Sequence, residues 1–81
     1  MELKDTIEMM QSEDYKERFK AEYWQLKIRW EKLNDMLGKY KRGDLDFKPV
    51  CSYEDLYEQL IYMEHYLVSL EMRASIEGIE L

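Results

Sequence analysis

The residues that could perform chemistry are few, and they do not form a catalytic set. The chain contains one His and one Cys. His65 has no Ser, Cys or second His at helical spacing to assist nucleophilic catalysis, and Cys51 is a single thiol before a predicted helix. No Glu-x-x-His pair suggests a dimetal site, and no glycine-rich phosphate loop occurs. We therefore predict that the protein is not an enzyme and uses no cofactor or metal.

Basic residues, which could bind an anion, concentrate in one part of the chain. Residues 14–43 contain nine Lys or Arg against five Asp or Glu, a net +4, whereas the whole 81-residue chain carries −6. One interpretation is that these cations pair with acidic residues of a neighbouring helix, as charges beside coiled-coil seams do. The other is that a few of them, with nearby aromatic residues, bind a small anion between subunits. A nucleic acid polymer is not expected, because the net negative charge opposes it.

The elements that position these residues are predicted to be helices. Three Gly and one Pro supply few turns for a β-fold, and 46% apolar residues exclude a disordered acidic chain. Apolar residues then recur at steps of four or three residues: Tyr15, Phe19, Tyr23, Leu26, Trp30, Leu33, Leu37 and Tyr40. Such a repeat is typical of helices that pack nearly parallel or antiparallel. It predicts a first long helix over residues 13–42, with Ser12 as its N-cap.

A second long helix follows a loop. Residues 43–51 contain Gly43 and Pro49 and predict the loop. Ser52 then caps a helix over residues 52–76. Its seam is Leu56, Leu60, Met63, Leu67, Leu70 and Ala74. Residues 1–11 predict a short N-terminal helix, and residues 77–81 a frayed tail. The fold class is therefore all-α, a single domain built on an antiparallel two-helix hairpin.

Both long helices carry more apolar surface than a hairpin buries. The additional residues are Trp24, Ile28, Tyr53, Tyr57, Ile61, Tyr62, Tyr66 and Val68. Each helix of a hairpin covers only one stripe of the other, and a chain this short has a marginal core. We therefore predict assembly into a helical homo-oligomer. No apolar run is long enough to span a bilayer and no signal sequence follows Met1, so a cytoplasmic location without membrane contact is expected.

Two ordered segments resemble the paired helices of a family of small phage proteins. The first is Tyr15-x-x-Arg18 followed by Glu22-x-x-x-Leu26-x-x-Arg29-x-x-Lys32-Leu33. The second is Gln59-Leu60-x-x-Met63-x-x-Tyr66-Leu67-x-x-Leu70-x-x-Arg73. This helical-hairpin family includes anti-CBASS and anti-Thoeris cyclic-oligonucleotide sponges and many uncharacterised phage relatives. The loop over residues 43–51, with Phe47 and Pro49, departs from the shorter connection of the family.

The resemblance implies a function and a set of binding residues. Family members are homo-oligomers, commonly hexamers, that bind cyclic dinucleotides or related signals between subunits without cleaving them. This implies a phage anti-defence protein that acts in the host cytoplasm and sequesters a cyclic oligonucleotide second messenger. The family's base-stacking aromatic corresponds to Tyr15, and its phosphate-binding Lys to Lys32. Arg29 and Arg73 are further candidates for phosphate binding.

A different class of function also fits the residues. A structural helical hairpin that mediates protein–protein interaction would use the same additional apolar residues of the long helices to bind its partner. It would have no affinity for small molecules and would instead bind a protein. Binding of a cyclic nucleotide therefore distinguishes the two functions.

Overall fold

Helices are the only regular secondary structure in the chain, as the sequence predicts. The computed structural model describes residues 1–81. A 3-10 turn over Leu3–Thr6 leads into a short α1 (Ile7–Met10), which is followed by α2 (Tyr15–Arg42) and α3 (Tyr53–Glu77). The molecule measures 43 × 24 × 17 Å, and its long axis is the length of α2, about 42 Å at 1.5 Å per residue. None of the helices combines the length and apolar character required to cross a membrane.

The two long helices form an antiparallel hairpin. Near the loop, the rings of Tyr40 and Tyr53 lie 5.5 Å apart. Towards the opposite end, Tyr23 of α2 meets Glu71 of α3, with 3.4 Å between its hydroxyl and a carboxylate oxygen. Residues early in α2 therefore face residues late in α3, so the beginning of α2 and the end of α3 share one end of the molecule.

The N-termini of both long helices are capped by side chains. The Asp14 carboxylate accepts a hydrogen bond from the Lys16 backbone N–H at 3.0 Å. The sequence pattern places this cap at Ser12, but the Ser12 hydroxyl accepts from the Asp14 N–H at 3.1 Å and lies two residues before the N-cap of α2. Ser52 caps α3 as expected, since its hydroxyl accepts from the Asp55 N–H at 3.1 Å.

Glycines in the left-handed conformation end both long helices. Gly43 has φ 77° after α2, and Gly78 has φ 69° after α3, a conformation that costs glycine little. The sequence predicts a frayed tail over residues 77–81. In the structure, however, the Ile79 N–H donates to the Ala74 carbonyl at 2.9 Å, and Ile79 is only 7% exposed. The turn at Gly78 directs this side chain back into the core.

The core lies at the end of the hairpin where α2 begins and α3 ends. Its six buried residues are Phe19, Tyr23, Leu67, Leu70, Ala74 and Ile79. All except Ile79 belong to the two predicted seams. Partly buried Trp24, Leu26 and Trp30 pack against this cluster. Only 11 of the 81 residues are buried in total, so the core of one protomer is small.

The N-terminal segment attaches to α2 through a buried hydroxyl. Thr6 is 1% exposed; its Oγ1 donates to the Leu3 carbonyl at 2.7 Å and accepts from Gln25 Nε2 at 3.0 Å. Ile7 and Met10, which the spacing places with Leu3 on one apolar face, are about half exposed. The segment therefore docks through hydrogen bonds as well as packing, and much of its apolar surface stays in contact with water.

The contact between α2 and α3 contains no ion pair. Each of the four ion pairs in the chain joins residues no more than four positions apart. The polar links between the long helices come from tyrosines, because Tyr23 donates to Glu71 and Tyr66 donates to Glu22. The interpretation that the cations of α2 neutralise α3 across the hairpin is therefore wrong for the single protomer.

We expect the small core to be sensitive to the loss of one side chain. Leu70 is among the most deeply buried residues, so Leu70→Ala should lower the free energy of unfolding by about 2–5 kcal/mol. Leu81→Ala makes the same chemical change at an exposed position and should have little effect. Urea denaturation followed by far-ultraviolet circular dichroism measures both. Equal losses in the two variants would contradict this location of the core.

The stability should depend on pH through Tyr23. Burial raises the pKa of this phenol above its ordinary value, and the charges of Glu71 and Glu31 and the hydrogen bond to Glu71 raise it further. The unfolded chain therefore loses this proton first, and stability falls as the pH rises above the ordinary tyrosine pKa of about 10. Tyr23→Phe should reduce that fall.

The measurement compares urea midpoints at neutral pH and at a pH slightly above 10. Tyr62→Phe removes the hydroxyl of an exposed tyrosine and serves as the control, because it should preserve the decline of the unmodified protein. An identical decline in Tyr23→Phe would show that another group is responsible.

Candidate ligand-binding site

The four predicted ligand-binding residues lie on the outer surface of the long helices. Tyr15 is the first residue of α2 and is 48% exposed. Arg29 and Lys32 are exposed further along α2, and Arg73 is exposed near the end of α3. Tyr15 and Lys32 are 17 positions apart in one helix, about 25 Å along its axis. One protomer therefore brings Tyr15 and Arg73 to the same end and holds Lys32 away from them.

Arg73 is held by two neighbours. Its guanidinium carbon lies 4.8 Å from the centre of the Phe19 ring, and its Nε donates to a Glu77 carboxylate oxygen at 2.9 Å. These contacts fix the plane of the group and use one of its five N–H donors. The terminal amino groups make no hydrogen bond within the chain and are suited to a phosphate or carboxylate.

Lys32 lines a surface pocket of about 420 Å³ where α2 ends and the next loop begins. We name it the loop pocket. Its lining residues are Lys32, Asp35, Met36, Lys39, Asp44, Leu45, Asp46 and Phe47. The volume is in the range of small-molecule sites. Of the four predicted residues, only Lys32 belongs to this pocket.

Local sequence explains how the loop pocket forms. Its α2 residues, from Lys32 to Lys39, recur at the three- and four-residue spacing of one helix face. Gly43 then reverses the chain, and the Asp44 N–H donates to the Lys39 carbonyl at 2.8 Å. An ion pair of 3.1 Å between Arg42 Nε and the Asp44 carboxylate also holds the first residue of the loop. These contacts place the loop residues up to Phe47 beside α2.

The charges of the loop pocket are balanced. Asp44 is paired with Arg42, which leaves Lys32 and Lys39 against Asp35 and Asp46. Ammonium groups bind phosphate through charge-assisted hydrogen bonds, and carboxylates accept hydrogen bonds from N–H donors. The Phe47 ring, which is 55% exposed, offers a face on which a flat ring can stack. The pocket therefore suits a ligand that combines negative charge with a planar ring.

Lys39 and Phe47 line the loop pocket but are not among the residues predicted from the sequence. The signal for Lys39 is its position seven residues after Lys32, which returns it to the same face of α2. No signal in the sequence shows that Phe47 folds back towards that face, because this depends on the reversal at Gly43. His65 and Cys51 are exposed, and no group of three or more His, Cys, Asp or Glu side chains is placed to hold a metal ion.

Comparison with known protein families matches residues 13–76 to the Sequestin family. No match was found among curated proteins or among solved structures. The matched range covers both long helices and the loop, and it includes all four predicted ligand-binding residues. It confirms the resemblance to the phage sponge proteins and indicates a role in sequestering a signal molecule rather than in catalysis. Since the match extends over most of its length, the chain belongs to the Sequestin family.

Proposed function

We propose that this protein binds cyclic oligonucleotide immune signals, of the cyclic dinucleotide type, and sequesters them without cleavage. It would act as a phage anti-defence protein in the cytoplasm of the host. The observation that carries the proposal is the family match over residues 13–76. The exposed Arg29, Lys32 and Lys39 of α2 support it, because they form no ion pair within the chain and can meet an anion.

The chemistry of a cyclic dinucleotide fits the predicted residues. Such a ligand has two phosphate charges and two flat bases. In the proposed site, Tyr15 stacks on a base and Lys32 binds a phosphate, with Arg29 and Arg73 as further phosphate contacts. Charge-assisted hydrogen bonds contribute about 1.5–3 kcal/mol each, and stacking contributes about 1–3 kcal/mol per base.

The distance between Tyr15 and Lys32 requires a site built from two subunits. About 25 Å of helix separates the two residues in one chain, which is more than one cyclic dinucleotide spans. Two copies whose α2 helices cross antiparallel near residues 23–24 would place the Tyr15 of each copy beside the Lys32 of the other. Such a twofold contact repeats the same site on both sides. We therefore propose a homo-oligomer, with a hexamer as the form common in the family.

An exposed apolar stripe on α3 supports assembly. We define the α3 stripe as Tyr57, Ile61, Val68, Met72 and Ile76, which recur at four- and seven-residue steps on one side of the helix. All except Ile61 are exposed, and Ile76 is 82% exposed. An apolar surface of this kind marks an interface. A preformed oligomer also helps binding, because subunit association, which costs about 4–15 kcal/mol, then precedes ligand binding.

The α3 stripe also supports the alternative function. A hairpin that binds another protein would place the same five residues in a groove of its partner. It would need neither Tyr15 nor the cations of α2. Ligand-binding measurements therefore separate the two functions without knowledge of the protein partner.

We expect isothermal titration against a panel of cyclic di- and trinucleotides and glycocyclic ADP-ribose to detect at least one tight ligand that is recovered uncleaved. Lys32→Glu should abolish binding by replacing a phosphate contact with a repulsive charge. Lys41→Glu makes the same change at an exposed residue outside the pockets and should preserve most of the affinity. The absence of any bound ligand at micromolar protein would remove the proposal in favour of the protein-binding hairpin.

The stacking role of Tyr15 requires a separate comparison. Tyr15→Ala removes the ring and should weaken binding by about tenfold or more, since stacking is worth about 1–3 kcal/mol per base. Tyr15→Phe keeps the ring and should retain most of the affinity. Equal losses in both variants would assign the effect to the hydroxyl instead, and size-exclusion chromatography checks that both remain assembled.

The oligomer has its own test in light scattering. We expect the unmodified chain to be a multimer at micromolar concentration and Val68→Glu, in the α3 stripe, to dissociate it by burying a charge at the interface. Val50→Glu places the same charge on a fully exposed loop residue and should leave the multimer intact. A folded monomer of the unmodified chain would contradict the two-subunit site.

A further inference from the structure

The loop pocket holds groups that the proposed phosphate contact of Lys32 does not use. Lys39, Phe47, Asp35 and Asp46 line the same 420 Å³ space. Asp35 and Asp46 carry charge opposite to that of Lys32 and Lys39, and Phe47 is aromatic. A pocket for phosphate alone would not benefit from two carboxylates, since these repel the anion. The combination therefore suits a ligand with more than one kind of group.

The two lysines define where the negative part of the ligand lies. Lys32 and Lys39 are seven positions apart, about 10 Å along α2, and both line the pocket. Neither forms an ion pair within the chain. A phosphate bridging them would therefore neutralise charge that the protomer leaves exposed.

Phe47 defines where the flat part of the ligand lies. Its ring is 55% exposed and lines both the loop pocket and a second space of about 230 Å³. The ring thus borders two cavities and is accessible to water. A nucleobase stacked on the side of the loop pocket would cover this apolar surface and gain the energy of base–aromatic stacking.

The two free carboxylates determine which base edge the pocket can bind. The Asp44 carboxylate forms an ion pair with Arg42, whereas Asp35 and Asp46 have no ion-pair partner and line the pocket. An ionised carboxylate only accepts hydrogen bonds. The Watson–Crick edge of guanine presents two adjacent N–H donors to such a group. Adenine presents one donor beside an acceptor nitrogen, whose lone pair the carboxylate repels.

We propose that the loop pocket binds a guanine base of the cyclic oligonucleotide. In this arrangement the base stacks on Phe47, its N–H edge donates to Asp35 or Asp46, and the adjoining phosphate lies between Lys32 and Lys39. The inference rests on the proposed function and adds a base preference to it. It also gives a role to the loop between α2 and α3.

Titration with cyclic di-GMP and cyclic di-AMP tests the preference, because the two probes share ring size and charge and differ only in the base. We expect the unmodified protein to bind cyclic di-GMP about tenfold more tightly, the factor that corresponds to about 1.4 kcal/mol. The double variant Asp35→Asn, Asp46→Asn should bring that ratio close to one, since each amide also presents a donor. Glu13→Gln removes an exposed carboxylate elsewhere and should leave the ratio unchanged.

The stacking contact is tested with the same two probes. Phe47→Leu keeps an apolar side chain but removes the aromatic face, and it should weaken both probes by about tenfold. Phe47→Tyr should retain binding, and circular dichroism verifies the fold of each variant. For the double Asp variant, the ratio of the two affinities reports on the contact with the base edge. Loss of the carboxylates also removes their repulsion of the phosphate, but this changes both affinities alike.

The outcomes separate this inference from the proposed function. Equal binding of the two dinucleotides, a preference for cyclic di-AMP, or an unaffected Phe47→Leu variant would overturn the guanine pocket and leave sequestration intact. Binding of other cyclic nucleotides with none of cyclic di-GMP would do the same. Failure of the whole panel of cyclic nucleotides would overturn both.

Discussion

The rest of the structure depends on the packing of α2 against α3 at one end of the hairpin. Five buried side chains from the two seams, joined by Ile79 from the tail, form the core there. This contact uses one stripe of each helix and leaves the other stripes free. The exposed face of α2 carries the cations, and the α3 stripe carries exposed apolar groups. The exposed positive charge and the exposed apolar surface are therefore both consequences of how little the hairpin buries.

The electrostatics of the hairpin follow from the same packing. The positive charge of α2 and the negative charge of α3 invite ion pairs, yet the polar links between these helices are hydrogen bonds from Tyr23 and Tyr66 to glutamates. Tyr23 belongs to the seam, so its hydroxyl reaches Glu71 while its ring stays in the apolar core. Arg29, Lys32 and Lys39 of α2 are exposed and form no ion pair within the chain. Their charge is thus available to a partner outside the protomer.

The loop helps to form the loop pocket because it is attached to α2 by specific contacts, and not because of its length. The left-handed Gly43 and the bond from the Asp44 N–H to the Lys39 carbonyl turn the chain immediately after the helix. The residues that follow lie beside the lysine-bearing face of α2 and form a pocket there. This places the Phe47 ring and the Asp46 carboxylate in the same pocket as Lys32, which by itself offers only a positive charge.

Much of this protein was determined by local sequence. Regular seams, capping residues and glycines depend on neighbours within one or two turns, so the helices, the hairpin and the family resemblance are readable from the chain. The tertiary structure decided what depends on residues far apart: the docking of Thr6 on Gln25, the burial of Ile79 and the pocket between Lys32 and Phe47. Apolar periodicity predicts which face of a helix is buried, but it contains no information on where a loop returns or which polar group finds a partner.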